Sequence, residues 1–447
     1  MTPSFQRPVV TESRATLGDQ LASLERCQHV LRQHTGASAS IAGFVPGRIE
    51  VLGKHVDYAG GRSIVCAVDR GFAFAALPRR DNTIRAFDAS REVARETVLD
   101  AAHRDHSGDW GAYISTLARR LARDSASPLA GVDIVFSSNL PSASGLSSST
   151  ALLITVFLAV AQANAWFEGS SLGQLLRGED RLVLADYLAA VESGKPFAAL
   201  AGDSGVGTLG GSQDHTAILS ARSDHLSRFA FLPTQLLGEH RVTSDVTFAV
   251  AFSGVHAEKT GAARELYNNA SRMASEIVRL WYEATANDTV QSLRDLGQLD
   301  SRGFAGVRDV LRERSSVHFS SRELQHRLEQ FLAEDALHDS ACAALNQQDW
   351  VRFGDLAAES QRNAERLLGN QTRETSYLAQ TGRELDAFAA SAFGAGFGGS
   401  VWALVRADEA SGFLERWRAA YARRFPDQAS RATFFVSRPS AAARYIA

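Results

Sequence analysis

The segment Pro141–Thr150, PSASGLSSST, follows the apolar run VDIVFSS and opens into a helical pattern that starts around Ser148. The first backbone N–H groups of a helix lack internal partners and carry the positive end of its dipole. A loop of small residues at that point can bring a polyphosphate against them. Ser147, Ser148 and Ser149 add hydroxyls, one of which could complete the oxygen shell of a Mg²⁺ ion held mainly by phosphates. The same residues also suit an ordinary serine-capped turn. A Walker A loop is excluded, because neither Gly53-Lys54 nor Gly194-Lys195 is followed by Ser or Thr. A second segment, GAGFGG, matches GxGxxG through Gly394, Gly396 and Gly399. It follows the helical pattern ELDAFAAS and opens the strand SVWALV, the reverse of a dinucleotide fingerprint. It reads as a tight turn where backbone must approach something closely, or as a plain helix-to-strand connection. GDSG at Gly202–Gly205 lacks the base and orienting acid that a serine nucleophile needs. His103 and His106, in AAHRDHSGDW, read as a solvated loop rather than a metal site.

The elements that must position these loops follow from periodicity. Residues 17–33 place Leu17, Leu21, Leu24, Val30 and Leu31 at helical spacing. The runs IEVLG, SIVCAV, GFAFAAL, TIRAFD and VDIVFSS then read as strands separated by Gly, Pro, Asp and Asn. Helical patterns fill the chain from Ser147 to Ser193, and HTAILSA, SRFAFL and VTFAVAFS read as three more strands. Long helices follow across about residues 260 to 390, and the chain closes as strand, helix, strand. The whole is an α+β protein of two lobes, divided into residues 1–220 and 221–447.

The 447 residues include 47 Lys and Arg against 50 Asp and Glu, a net charge of −3 that offers no global basic field for a nucleic acid. The longest apolar run, Ala151–Ala161, is far short of the roughly 20 residues that a membrane helix needs. The polar start MTPSFQRPVVTESR has no signal-peptide core, so a cytoplasmic protein is expected. Cys27, Cys66 and Cys342 are too few and too scattered for a disulfide framework and read as buried thiols.

Three ordered segments resemble the GHMP kinases, and within them the galactokinases. PGRIEVLGKHVDYAGG is similar to the signature G-R-[VI]-x-[LI]-[IL]-G-E-H-x-D-Y-x-x-G, PSASGLSSST to the phosphate loop P-x-x-x-G-L-[SG]-S-S, and SAFGAGFGGSVWAL to the third GHMP motif. DWGAYI and FGDLAAESQRN add weaker agreement. The resemblance implies a two-lobed architecture with the active site in the cleft between lobes. It also implies ATP- and Mg²⁺-dependent phosphorylation of a sugar at its anomeric hydroxyl, so the partners are the small molecules sugar and ATP, with no nucleic acid and no membrane. Carried over residue by residue, it makes Asp214 the group beside the sugar C1 hydroxyl and Arg48 its positive neighbour. Ser144, Gly145, Leu146, Ser147, Ser148 and Ser149 hold the nucleotide, and Ser149 and Glu192 face the metal. Lys54, His55, Asp57 and Tyr267 contact the sugar. The segment between Glu192 and Asp214 is longer than in typical galactokinases. The chain also departs from the signature at Lys54, where the family has Glu. A cation at that position would pair with a carboxylate, which brings in a uronic acid such as galacturonate as an alternative to a neutral galactose-type sugar. A catalytically silent sugar sensor is the rival from another class, against which the retention of Arg48, Ser149 and Asp214 argues.

Overall fold

The computed structural model describes residues 14–104, 109–125, 127–168, 170–176, 180–257, 261–299 and 303–446; His106 and most of the polar start lie outside them. The strands are β1 (Ile41–Leu52), β2 (Arg62–Pro78), β3 (Thr83–Asp88), β4 (Val93–Val98), β5 (Val132–Ser138), β6 (His225–Ala230), β7 (Gln235–Arg241), β8 (Val246–Phe252), β9 (Ala389–Phe393), β10 (Ser400–Arg406), β11 (Thr433–Ser437) and β12 (Arg444–Tyr445). The first sheet runs β12-β1-β2-β5-β3-β4, with β6 paired to β2 and β7 to β6, and the second runs β11-β8-β10-β9. All pairs are antiparallel except β3 with β5.

Several sequence expectations shift. SIVCAV and GFAFAAL are one strand, β2, whose central Asp69-Arg70 falls in a register irregularity opposite Pro46–Arg48 of β1 rather than in a break between strands. HTAILSA is not a strand: Gln213–Ser220 is a helix, with Ala217, Ile218 and Leu219 buried. A short, wholly buried apolar run has no alternation, so periodicity cannot tell strand from helix. ELDAFAAS is not helical to its end either, because the preceding helix stops at Glu384 and Ala389–Phe393 is β9. GAGFGG therefore joins two antiparallel strands, β9 and β10. The first sheet also continues past residue 220 through β6 and β7, and the chain returns to it at β12. The exchange between sheets thus falls after Arg241, later than the division at 220/221.

The helix Ser148–Ala163 is apolar on all sides and buried from Thr150 to Ala161, as a helix between packed layers must be. Its Leu153, Val156 and Val160 share one core with Val45, Phe74 and Ile134 of the first sheet and Val250 and Trp402 of the second. A further helical layer over residues 261–336 has its own core, including Ile277, Leu293, Val307 and Leu328, which also takes in Val56 and Ala59. That layer clamps the loop after β1 onto the sheet. Among the described residues no helix is long and apolar enough to cross a membrane.

Candidate active site

Strand β1 places Arg48 and Glu50 two residues apart in regular register with β2, opposite Ala67 and Val65, so both side chains leave the same face. The Arg48 guanidinium donates to Asp214 Oδ1 from Nε at 2.7 Å, with Nη2 at 2.6 Å from the same oxygen. Its Nη1 donates to the Gly145 carbonyl. The other Asp214 oxygen, Oδ2, accepts from the Ser147 hydroxyl. Asp214 lies in the first turn of its helix, where the macrodipole favours a negative charge. Ser147 sits just before the helix Ser148–Ala163 with φ +60°, an uncommon conformation for a residue with a side chain. The phosphate loop, the strand arginine and the carboxylate are thus joined directly.

Around this pair lies a cleft of about 550 Å³ lined by Arg48, Glu50, His55, Asp57, Thr150, Glu192, Asp214, Tyr267 and the Gly394-Ala395 turn, among others. His55 has φ +57° and stands between Tyr58 and the GAGFGG turn. Its Nε2 bonds the Ala395 carbonyl at 3.0 Å and so carries the proton, which leaves Nδ1 to accept from the Tyr58 hydroxyl at 3.0 Å. The Tyr267 ring is tilted against the imidazole with centroids 5.3 Å apart. Asp57 Oδ2 accepts the Gln213 N–H at 3.2 Å. Burial first, and then the Asp214 charge, push the Asp57 carboxyl above its usual range. Burial likewise holds the Tyr267 phenol well above the ordinary value, with Asp57 and Asp214 adding to it. The Glu50 carboxyl rises from its usual 4.5 to about 7, chiefly through burial.

A second cleft of about 700 Å³ opens on the other side of the phosphate loop. It is lined by Ser148 and Ser149, the aromatics Phe72, Trp110, Tyr113 and Phe136, and the charged pair Asp88 and Arg91. Within the loop the roles divide. Ser144 Oγ donates to the Pro141 carbonyl at 2.7 Å, and Leu146 is fully buried, so these two offer backbone rather than side chain. Glycines bring the GAGFGG turn against the loop: a Cβ on Gly394 would lie 2.9 Å from the Gly145 carbonyl. Ser400 Oγ donates to the Ser144 carbonyl at 2.7 Å. Of the two readings of this segment, close backbone approach is the one that the geometry carries.

One expectation needs correction: Lys54 does not line the cleft. Its side chain is 1% exposed and runs inward, where Nζ donates to Ser360 Oγ at 2.8 Å and Ser360 donates onward to Glu334 Oε1 at 2.7 Å. The backbone N–H groups of Gly53 and Lys54 reach the same oxygen at 2.9 and 3.1 Å. A buried carboxylate needs compensating charge and donors, and Lys54 supplies them, so the pairing with a sugar carboxylate loses its basis. Glu192 Oε2 accepts from the Thr150 hydroxyl at 3.1 Å, with His215 Nε2 at 3.2 Å from the same oxygen. Ser149 faces the aromatic cleft. Glu50, Thr150, Gln213 and His215 line the site although the sequence reading made none of them a site residue. For Glu50 the signal was present in its i, i+2 spacing from Arg48.

Comparison with known proteins agrees with this geometry. Three family profiles match: the galactokinase galactose-binding signature over residues 31–78, the GHMP kinases N terminal domain over 112–202 and the GHMP kinases C terminal over 341–423. By these matches the chain is similar to the GHMP kinases, and within them to the galactokinases. It is 27% identical to a galactokinase of Chloroflexus aggregans over 382 residues, which covers 84% of this chain and 87% of that protein. It is 26% identical to a galactokinase of Roseiflexus sp. over 92% of this chain and 94% of that one. The fold matches that of Lactococcus lactis galactokinase complexed with galactose at a TM-score of 0.74, with 21% identity over 95% of this chain and 100% of that chain. A mevalonate kinase matches at a TM-score of 0.53.

Proposed function

We propose that the protein is an ATP-dependent sugar 1-kinase that phosphorylates the anomeric hydroxyl of a neutral, galactose-type sugar. The observation that carries this reading is the Asp214 carboxylate, held by Arg48 and Ser147 where the cleft lined by His55, Asp57 and Tyr267 meets the phosphate loop. A sugar in that cleft sets its C1 hydroxyl against Asp214, which orients the hydroxyl and takes its proton as the oxygen bonds to the γ-phosphorus and ADP leaves. Arg48 faces the charge that develops on the transferred group, and the first N–H groups of the helix Ser148–Ala163 do the same from the other side. The adenine base stacks among Trp110, Tyr113 and Phe136, beyond Ser148 and Ser149. Among the described residues no cluster of three His, Cys, Asp or Glu is placed to hold a metal by itself. The donor set fits a Mg²⁺ ion that takes most of its ligands from phosphates, with Glu192 and a loop hydroxyl, Ser149 or Thr150, completing them. When bound, that ion supplies charge neutralisation at the phosphates.

A coupled ADP-release assay with galactose tests the reading. Asp214→Asn should bind sugar with near wild-type affinity by calorimetry while turnover drops by about 10² or more. Unchanged turnover removes Asp214 from the chemistry, and a wild type that binds sugar without releasing ADP is a sensor.

A further inference from the structure

Glu50 is the one residue of the β1 face whose chemistry the reaction above leaves unused. It is 3% exposed and lines the sugar cleft. Its Oε2 accepts from Gln213 Nε2 at 2.8 Å, and Gln213 is fixed in turn by the Ser63 hydroxyl, which donates to its Oε1 at 2.6 Å. Oε1 is buried and has no hydrogen-bond partner in the protein. Above about pH 7 the carboxyl is ionised, and an ionised carboxylate has room for about four donors, so that leaving one of its oxygens buried and unmatched costs more than an ordinary missing hydrogen bond. The signature that the chain resembles leaves this position open, so a residue here can vary with the substrate.

We propose that Glu50 is a specificity-determining contact, whose Oε1 accepts a hydrogen bond from a sugar hydroxyl remote from the anomeric carbon. The proposal deepens the sugar-kinase reading and rests on it. Two residues of strand separate Glu50 from Arg48, about 7 Å. Glu50 therefore meets the end of the ring away from the hydroxyl held by Asp214. Recognition through an acceptor requires a donor on the substrate: a hydroxylated, uncharged sugar satisfies Oε1, a deoxy sugar leaves it unmatched, and a carboxylate at that position is repelled. The inverted charge at Lys54 is consistent with this, because the cation serves the buried carboxylates and does not face the substrate.

The test, run at about pH 8 where the Glu50 carboxyl is ionised, compares galactose with 2-, 3-, 4- and 6-deoxygalactose in the wild type and in Glu50→Gln, whose folding is checked by its melting curve and ATP affinity. A charged hydrogen bond of this kind corresponds to roughly a 10- to 100-fold effect. In the wild type, one deoxy sugar should lose about that much kcat/KM. Glu50→Gln should lower kcat/KM about tenfold for galactose and the other analogues while leaving that one deoxy sugar nearly unchanged. An equal loss on every sugar, or no loss on any, overturns the contact. If the wild type binds these sugars but releases no ADP, the kinase reading fails while calorimetric affinities over the same panel still decide the role of Glu50. If none of them binds, both readings fall.

Discussion

Two buried charges next to the signature loop, Glu50 and Lys54, show how position decides chemistry. In the folded state Glu50 holds its proton up to about pH 7, against 4.5 when unfolded, because burial outweighs the attraction of Lys54 and Arg48 and Glu334 adds repulsion. Between those values the native state binds more protons than the unfolded chain, so this residue makes stability fall as pH rises from about 4.5 to 7 and adds no further slope above that. Glu50→Gln should remove that slope. Chemical denaturation at pH 5 and pH 8 should show the variant gaining on the wild type by up to about 3 kcal/mol, and parallel curves would place the carboxyl's titration elsewhere. Lys54 carries the opposite lesson. Restoring the family's acidic residue with Lys54→Glu puts a carboxylate beside Glu334 and Glu50 in place of their cation. Breaking a buried pair costs about 3–5 kcal/mol, so a large drop in melting temperature is expected. The preference for galactose over galacturonate in the folded fraction should stay unmoved, and a reversed preference would return Lys54 to the cleft. The sequence displayed the charge reversal, but the partners that orient the lysine lie 306 positions away at Ser360 and, at Glu334, 280 positions from its backbone N–H. Local reading has no access to such separations.

At the level of elements, what was legible were loops with a local mechanism, and what was missed were elements whose state is set by packing. The phosphate loop declared itself by a strand, small residues and an apolar helix in direct succession. The helix that carries Asp214 did not, because HTAILS offers neither alternation nor a helical stripe once it is buried on every side. Nor did the hairpin nature of GAGFGG, since Ala389–Phe393 is a fully buried strand of five residues. Glycine itself was the readable signal there: Gly394, Gly396, Gly398 and Gly399 all adopt positive φ. A Cβ on Gly396 would come within 2.3 Å of the Asn370 carbonyl at φ +78°. Gly396→Ala should therefore destabilise the protein by about 1–3 kcal/mol, and it should weaken ATP binding, because the turn backs the phosphate loop at Gly145. Nucleotide titration of the variant checks this, and affinity equal to wild type would show that the turn and the loop move independently. The helix Ser321–Ala336 holds the signature loop in a comparable way. Arg327 donates to the His55 carbonyl at 2.6 Å and Gln330 to the Lys54 carbonyl at 2.9 Å.

Across the whole molecule, the two sheets and the helical layer meet at the cleft, so each lobe supplies part of its lining: β1 and the phosphate loop from one side, the GAGFGG turn and the helix bearing Tyr267 from the other. The amphipathic and apolar patterns announced the layers, but not the order in which the chain visits them. The first sheet is finished by β12, which pairs with Gly43 and Phe44 of β1, and Arg444 donates to Gln20 across 424 positions at 2.6 Å. Ala443 N–H donates to the Ile218 carbonyl, within the helix that presents Asp214. This closure has a consequence in time. A ribosome adds roughly 5–20 residues each second, so β1 waits on the order of 20 to 80 seconds between its own emergence and that of its last partner, about 400 residues later. Throughout that interval the Gly43-Phe44 end of the strand that bears Arg48 and Glu50 lacks its β12 partner, and an unpaired border of that kind is where nascent chains misassociate. The growing polypeptide holds every loop of its catalytic cleft well before it holds the strand that completes the sheet beneath it.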